Sequence, residues 1–526
     1  MPTRRQFLRT TALGGAAMYF NVFGAWGSAF AVPLAAGLSD PALQPKFANP
    51  VPNALNPGFI YRNNGGNQKY SIDIRPGVTM TGLLGTNGQP VPTPIFGYGE
   101  KGQATWPGKT FEVVRGTGPV EVKWRNKLLD AGGAPVPHLL PVDTSLHWAY
   151  SLPGYEQYTI AANGVPTVVH LHGGHTDAPF DGNPEFFFGP GYNTRGPRWM
   201  DKSYEYRNDQ PAGTLWYHDH ALGITRLNVY AGMAGFYIVR DGDDTGRPDN
   251  PLGLPAFPYE AAYAIQDRMF HADGRLFYPA FPGDPFYDDF ITGEGAILPP
   301  ELFPGGGPTA LAEFFGDHML VNGVIWPVQN VEPRNYRMRL LNGTDSRFMA
   351  LRFRVASSPT ATDLQGAGAP IPFWVIGADQ GLAKSATELD TLLFEPGGRY
   401  DVVFDFSSVP AGSRVIVENI LGDAPYGGEL PEPGDLFPNR QTDRVMAFDV
   451  VLPENTSIPD LFDPTAIAGY QGNGATPTRT RKVALFEGLD EFGRLQPLLG
   501  TAEPTLAADG STLEGAIGWH RPTTEN

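Results

Sequence analysis

Two His-x-His pairs constrain this chain more than any other feature: His170-Leu171-His172 and His218-Asp219-His220. Each follows an apolar run, Val165-Pro166-Thr167-Val168-Val169 before the first and Thr214-Leu215-Trp216-Tyr217 before the second. Successive side chains alternate along a strand, so both imidazoles of a pair leave on one face. Two such faces opposed would gather four imidazoles around one small volume. Chance is a poor source of the pattern, because scattering 10 His over 526 residues gives roughly 0.2 such pairs. A lone strand His is more often a core residue with satisfied nitrogens, the reading given to His271 and His318. Four buried imidazoles without a metal would be costly to desolvate, so the doubled pair reads as a metal site.

At the start, Thr3-Arg4-Arg5-Gln6-Phe7-Leu8-Arg9 precedes an apolar run over residues 12–31 that closes with Ala29-Phe30-Ala31. This is the pattern of a twin-arginine export signal, so residues 1–31 are set apart from the fold and the protein is expected in the periplasm or secreted. Those residues hold three arginines and no acid, which leaves a net charge of −20 on the remainder. Nucleic acid and anionic membrane surfaces are excluded as expected partners on that charge. The chain has no Cys, so no disulfide braces it and stability must come from buried cores.

Gly 65 and Pro 52 stand beside 41% hydrophobic residues, which points to many short strands joined by turns and not to disorder. Alternating runs occupy residues 70–74, 93–98, 110–114, 120–124, 167–172, 215–218 and 235–239. A loop over residues 173–212 joins the two His strands, long enough to suggest function. A second set runs through 263–268, 319–323, 336–341, 373–376, 400–406, 414–418 and 448–451. The fold class read from this is all-β, a tandem of Greek-key sandwiches. The units expected are 59–240 with the His pairs, 256–452, and the opening of a third at 478–526.

Longer runs resemble the multicopper oxidases, in the branch of bacterial spore-coat laccase, bilirubin oxidase and phenoxazinone synthase. The resemblance rests on His170-Leu171-His172-Gly173-Gly174, Asp181-Gly182-Asn183-Pro184-Glu185, Trp216-Tyr217-His218-Asp219-His220-Ala221 and Thr225-Arg226-Leu227-Asn228-Val229-Tyr230-Ala231-Gly232. Trp106-Pro107-Gly108-Lys109-Thr110, Leu320-Val321-Asn322-Gly323 and Arg399-Tyr400-Asp401-Val402 extend it along nearly the whole chain. It implies cupredoxin-like domains, a blue copper that takes electrons from a phenol-type donor, and a three-copper cluster that reduces dioxygen to water. His170 would ligate the type 2 copper, and His172, His218 and His220 the type 3 pair. Imidazole suits copper well. Asp181 matches an acid near the cluster, a candidate proton donor, although Asp before Gly182 is also an ordinary turn residue.

The sequence departs from that pattern in one respect. The family draws its remaining cluster ligands and the blue copper from His-Pro-x-His-x-His and His-Cys-His segments, which are absent here. A blue copper needs a Cys thiolate, so this chain carries half a trinuclear site and no type 1 site. The expectation is a C-terminally truncated, laccase-like oxidase, inactive alone, with dioxygen and a small aromatic reductant as partners of the intact form. Two alternatives stand beside it: a copper-free cupredoxin scaffold, or one chain of a split oxidase whose third domain comes from a partner. The run His170, His172, His175, Asp177 is also similar to metallohydrolase ligand runs, but no strand–helix alternation supports a zinc hydrolase.

Overall fold

The computed structural model describes residues 37–62, 68–146, 150, 152–430, 440–467, 480 and 482–501, with short pairs at 505–506, 512–513 and 517–518. The export-signal residues 1–31 and much of the expected opening of a third unit at 478–526 lie outside the described residues. Within them the regular elements are strands joined by turns, with only short helical segments.

The first unit is built from β1 (Lys69–Thr79), β2 (Thr93–Gly99), β3 (Gly108–Val114), β4 (Val120–Asn126), β5 (Val169–His172), β6 (Ser203–Tyr206), β7 (Gly213–Asp219) and β8 (Ala234–Arg240). They form two four-stranded sheets, β2-β1-β4-β6 and β3-β8-β7-β5. The chain crosses between sheets repeatedly, so β1 runs parallel to β4 and β3 parallel to β8. Between the sheets lies an aromatic core. Tyr217 packs 5.0 Å from Tyr98, 5.4 Å from Phe111 and 5.5 Å from Trp124. Each such ring pair adds about 0.5–1.5 kcal/mol beyond its buried area.

Strand β7 is buried along its whole length, because both of its faces are covered. Leu215, Tyr217 and Asp219 face the core of the first unit. Thr214, Trp216 and His218 face outward, onto the second unit. There Trp216, Ala234, Phe236 and Ile238 pack against Ala262, Ala264 and Leu341.

The second unit pairs an eight-stranded sheet with a six-stranded one between residues 260 and 450. Its seam with the first unit also holds charge. Arg240, Asp244, Glu260, Arg337, Arg339 and Asp401 are all buried there and paired with one another. Beyond them, Val483–Leu489 and Leu495–Thr501 form an antiparallel hairpin.

Several strands differ from the sequence reading. The supposed loop over 173–212 contains β6, which pairs with β4, as well as three single 3-10 turns. Gly381–Leu389 is an end strand of the large sheet. Its Ala, Lys, Ser and Glu residues carry little strand propensity, and pairing with Phe373–Ala378 overrides that. His318 is a satisfied core residue, held by Asp317 Oδ1 at 2.6 Å and Ser39 Oγ at 3.2 Å.

Candidate metal centre

The four predicted ligands come together on the outward face of one sheet. Strand β5 is an end strand and pairs only with β7, in a register that sets His170 opposite His218 and His172 opposite Trp216. His220 follows β7, its N–H donating to the Val168 carbonyl at 2.8 Å. Ring centroids lie 5.5 Å apart for His170 and His218, 5.3 Å for His170 and His220, 5.6 Å for His172 and His218, and 5.7 Å for His218 and His220. His170 and His218 are thus the middle of the cluster, with His172 and His220 at its ends. Nitrogens of His170, His172 and His218 all lie within 4.8 Å of one another.

Their second nitrogens decide which lone pairs are free. His170 Nδ1–H donates to the Asp181 carbonyl, and His218 Nδ1–H to the Asp219 carbonyl at 2.7 Å. Both rings therefore present Nε2 as a lone pair. His172 Nδ1 and His218 Nε2 point at each other across 3.3 Å. His220 Nδ1 is buried with no hydrogen-bond partner. An orphaned imidazole nitrogen in a cluster of lone pairs fits a metal ligand.

Burial favours the neutral form of His172, His218 and His220. Burial, then the Arg399 guanidinium and the neighbouring imidazoles, lower the His172 pKa to about 3. Burial also holds His218 well below its usual value, and lowers His220 with help from His170. Neutral imidazole is the form that binds a cation.

The second unit reaches the site through Arg399. This buried side chain donates to the Thr214 and Gly397 carbonyls at 3.2 and 2.7 Å. It fits because Gly173 sits at φ +85°, where a Cβ would lie 2.7 Å from Arg399 Nη2. Trp216 stacks on His172 at 5.3 Å and lies 4.1 Å from His218, walling one side.

Asp181 lies beside His170, with Oδ1 3.6 Å from His170 Nδ1 and its side chain half exposed. Burial raises its pKa, opposed by His170. The turn Asp thus lies beside the candidate centre. Gly182 permits this: at φ +75°, a Cβ would come within 2.3 Å of the Val169 carbonyl. His175, by contrast, points to the surface beside Asp209 and does not join the group.

Sequence reasoning missed His138 and gave Asp219, Asn228 and Arg399 no role. A carboxylate enclosed by an otherwise apolar and imidazole strand was the readable signal for Asp219. His138 offered none, because only folding brings it to Asn228, at 3.2 Å.

Tandem β-sandwiches that bring four imidazoles together mark a cupredoxin-like protein with a candidate metal centre. The multicopper oxidase family model matches residues 162–244, the stretch that holds all four His. The laccase of Bacillus subtilis is 34% identical over 438 residues, which cover 82% of this chain and 69% of that protein. The laccase of Bacillus stratosphericus is 37% identical over 83% of this chain and 70% of its own length. In structure, the McoA multicopper oxidase of Aquifex aeolicus aligns with TM-score 0.52 and 18% identity, covering 85% of this chain and 73% of that one. The chain belongs to the multicopper oxidases, a family of copper-dependent oxidoreductases.

Proposed function

We propose that His170, His172, His218 and His220 hold copper as part of a trinuclear site, in an oxidase that takes electrons from phenol-type donors and passes them to dioxygen. The observation that carries this is the convergence of four lone-pair-bearing imidazoles, one with an orphaned buried nitrogen. Copper, when bound, supplies the one-electron steps between donor and dioxygen. The protein's own part is to orient the imidazoles and to hold His172, His218 and His220 neutral. In this reading His170 belongs to the type 2 position and the other three to the type 3 pair. Asp181, half-buried beside His170 with its carboxyl pKa raised by burial, is the candidate to pass protons toward the same space.

The 526 residues contain no Cys, so no copper-thiolate centre forms on them alone. The four imidazoles are half of the ligand set in this reading, with the rest supplied by sequence beyond these residues or by a partner chain. Export by the twin-arginine route would place the protein in the periplasm or outside the cell, consistent with residues 3–9.

Metal analysis of chain purified with copper and with zinc tests the reading. Copper retained in preference to zinc, and lost from the His218→Ala variant, is the expected result. No turnover of a phenolic dye is expected from the chain by itself. Zinc preference together with ester hydrolysis would overturn the assignment.

A further inference from the structure

The carboxylate of Asp219 braces both His strands from behind. In sequence it lies between two of the imidazoles, yet strand alternation turns it to the opposite face of β7, where it is fully buried. Its Oδ2 accepts the Val168 N–H at 3.0 Å, just ahead of β5. Its Oδ1 accepts the Ala221 N–H at 3.0 Å, just after His220, and the Asn228 Nδ2–H at 2.8 Å. Asn228, on the short helix α1 (Thr225–Tyr230), is equally buried. Its amide also donates to the Pro166 carbonyl at 3.1 Å, and its Oδ1 lies 3.2 Å from His138 Nε2.

Strand β5 is a short end strand, whose approach is also aligned by the Thr167–Phe188 bridge and by Asn126 on the Val165 carbonyl. It is four residues long and has one neighbour in its sheet. A slip of one residue would turn His170 and His172 into the core and Leu171 onto the metal face. Bonds from one carboxylate to the residue before β5 and to the residue after His220 oppose that slip on both strands at once. Asn228 supplies the second anchor on the same approach, through Pro166.

We propose that Asp219 is a positioning residue for the metal centre, setting the stagger of His170 and His172 against His218 and His220, with Asn228 holding its carboxylate in place. The inference rests on the copper reading above. Asp219→Asn preserves shape but replaces one acceptor oxygen with a donor, which faces a backbone N–H and cannot bond it.

The test is titration of the full chain with copper(II) sulfate, read by calorimetry and by the hyperfine splitting of the bound Cu(II) in electron paramagnetic resonance. D219N is expected to bind about ten- to a hundredfold more weakly, as loss of an orienting partner does, and to show a changed hyperfine splitting while unfolding cooperatively. Asn228→Ser is expected to move both readouts in the same direction, and it decides the matter should D219N fail to fold. Wild-type affinity and spectrum in a folded variant would overturn the positioning role alone. A wild-type chain that binds no Cu(II) would overturn the copper reading and this role together.

Discussion

His170 and His218 face each other directly across the β5–β7 ladder, ring centroids 5.5 Å apart, while His172 and His220 lie outward along the two strands. The middle pair can share a cation with either end, whereas no close ring contact joins the two ends. Removing a middle imidazole therefore leaves two separated end rings joined only through the other middle one, whereas removing an end leaves three mutually adjacent rings. His170→Ala and His218→Ala should each weaken Cu(II) binding by about a hundredfold or more, and His172→Ala or His220→Ala by about tenfold. Calorimetric titration of the four variants checks the order.

How much of this was legible depends on whether the signal lay within one strand. The His pairs could be read because spacing of two on an apolar strand fixes the face, whatever lies on the other side. What covers that face could not be read. Burial on both sides erases the polar alternation of β7, so Trp216 and Tyr217 look alike in sequence although one meets the second unit and the other the aromatic core. Arg399 is separated from Thr214 by 185 positions. No local pattern links the two. Strand β6 was hidden in a Gly- and Pro-rich stretch for the same reason, its place being set by β4 and not by its own composition.

The buried charges between the units make a second prediction. Arg339 donates to Glu260 at 2.7 Å, Asp244 at 2.6 Å and Thr214 Oγ1 at 2.9 Å, with no exposure to solvent. Replacing it with Met leaves two buried carboxylates short of a partner, which costs about 3–5 kcal/mol. Urea unfolding of Arg339→Met should show that loss. Added salt should leave the wild-type pairs almost unaffected, because ions cannot reach them.

The same seam sets an acid limit. Burial alone would raise the Glu260 pKa, but Arg240, Arg339 and Arg337 outweigh it and hold the group at about 2, below its usual 4.5. A depressed carboxyl pKa contributes stability that is complete above pH 4.5 and is lost as pH falls toward 2. Denaturation midpoints measured across that window should fall in the wild type. They should fall less steeply in Glu260→Gln, which starts from a lower stability.

His138 acts at milder acidity. Burial lowers its pKa to about 4 from 6.5, against the bonds to Asn228 and Leu140, and Arg226 nearby adds to the lowering. The unfolded chain therefore takes up a proton that the folded one refuses between those two values. Stability present above pH 6.5 is lost as pH falls toward 4, by at most about 3 kcal/mol, and by less since the ring keeps an edge in solvent. His138→Gln keeps a donor for Asn228 without the titration. Its thermal midpoint should change less than the wild type's over that range.

The turn between Val483–Leu489 and Leu495–Thr501 docks on the rest of the protein through Phe492, whose carbonyl accepts the Ile297 N–H at 2.8 Å, and through Arg494. Arg494 reaches Asp143 of the first unit at 2.6 Å and Thr309 of the second at 2.9 Å, and its own Asp490 at 2.7 Å. Its guanidinium also lies 5.4 Å from the Phe303 ring and 5.1 Å from that of Phe492. Asp143 is almost wholly buried, so Arg494→Ala strands a carboxylate at the junction, at a cost of about 3–5 kcal/mol. That cost falls on docking of the hairpin and not on either sandwich, since none of the sheet ladders runs through Arg494. Hydrogen exchange should accelerate across residues 483–501 in the variant while β1–β8 keep their protection. Equal acceleration throughout would mean that the hairpin is a structural part of the core and not a separately docked element.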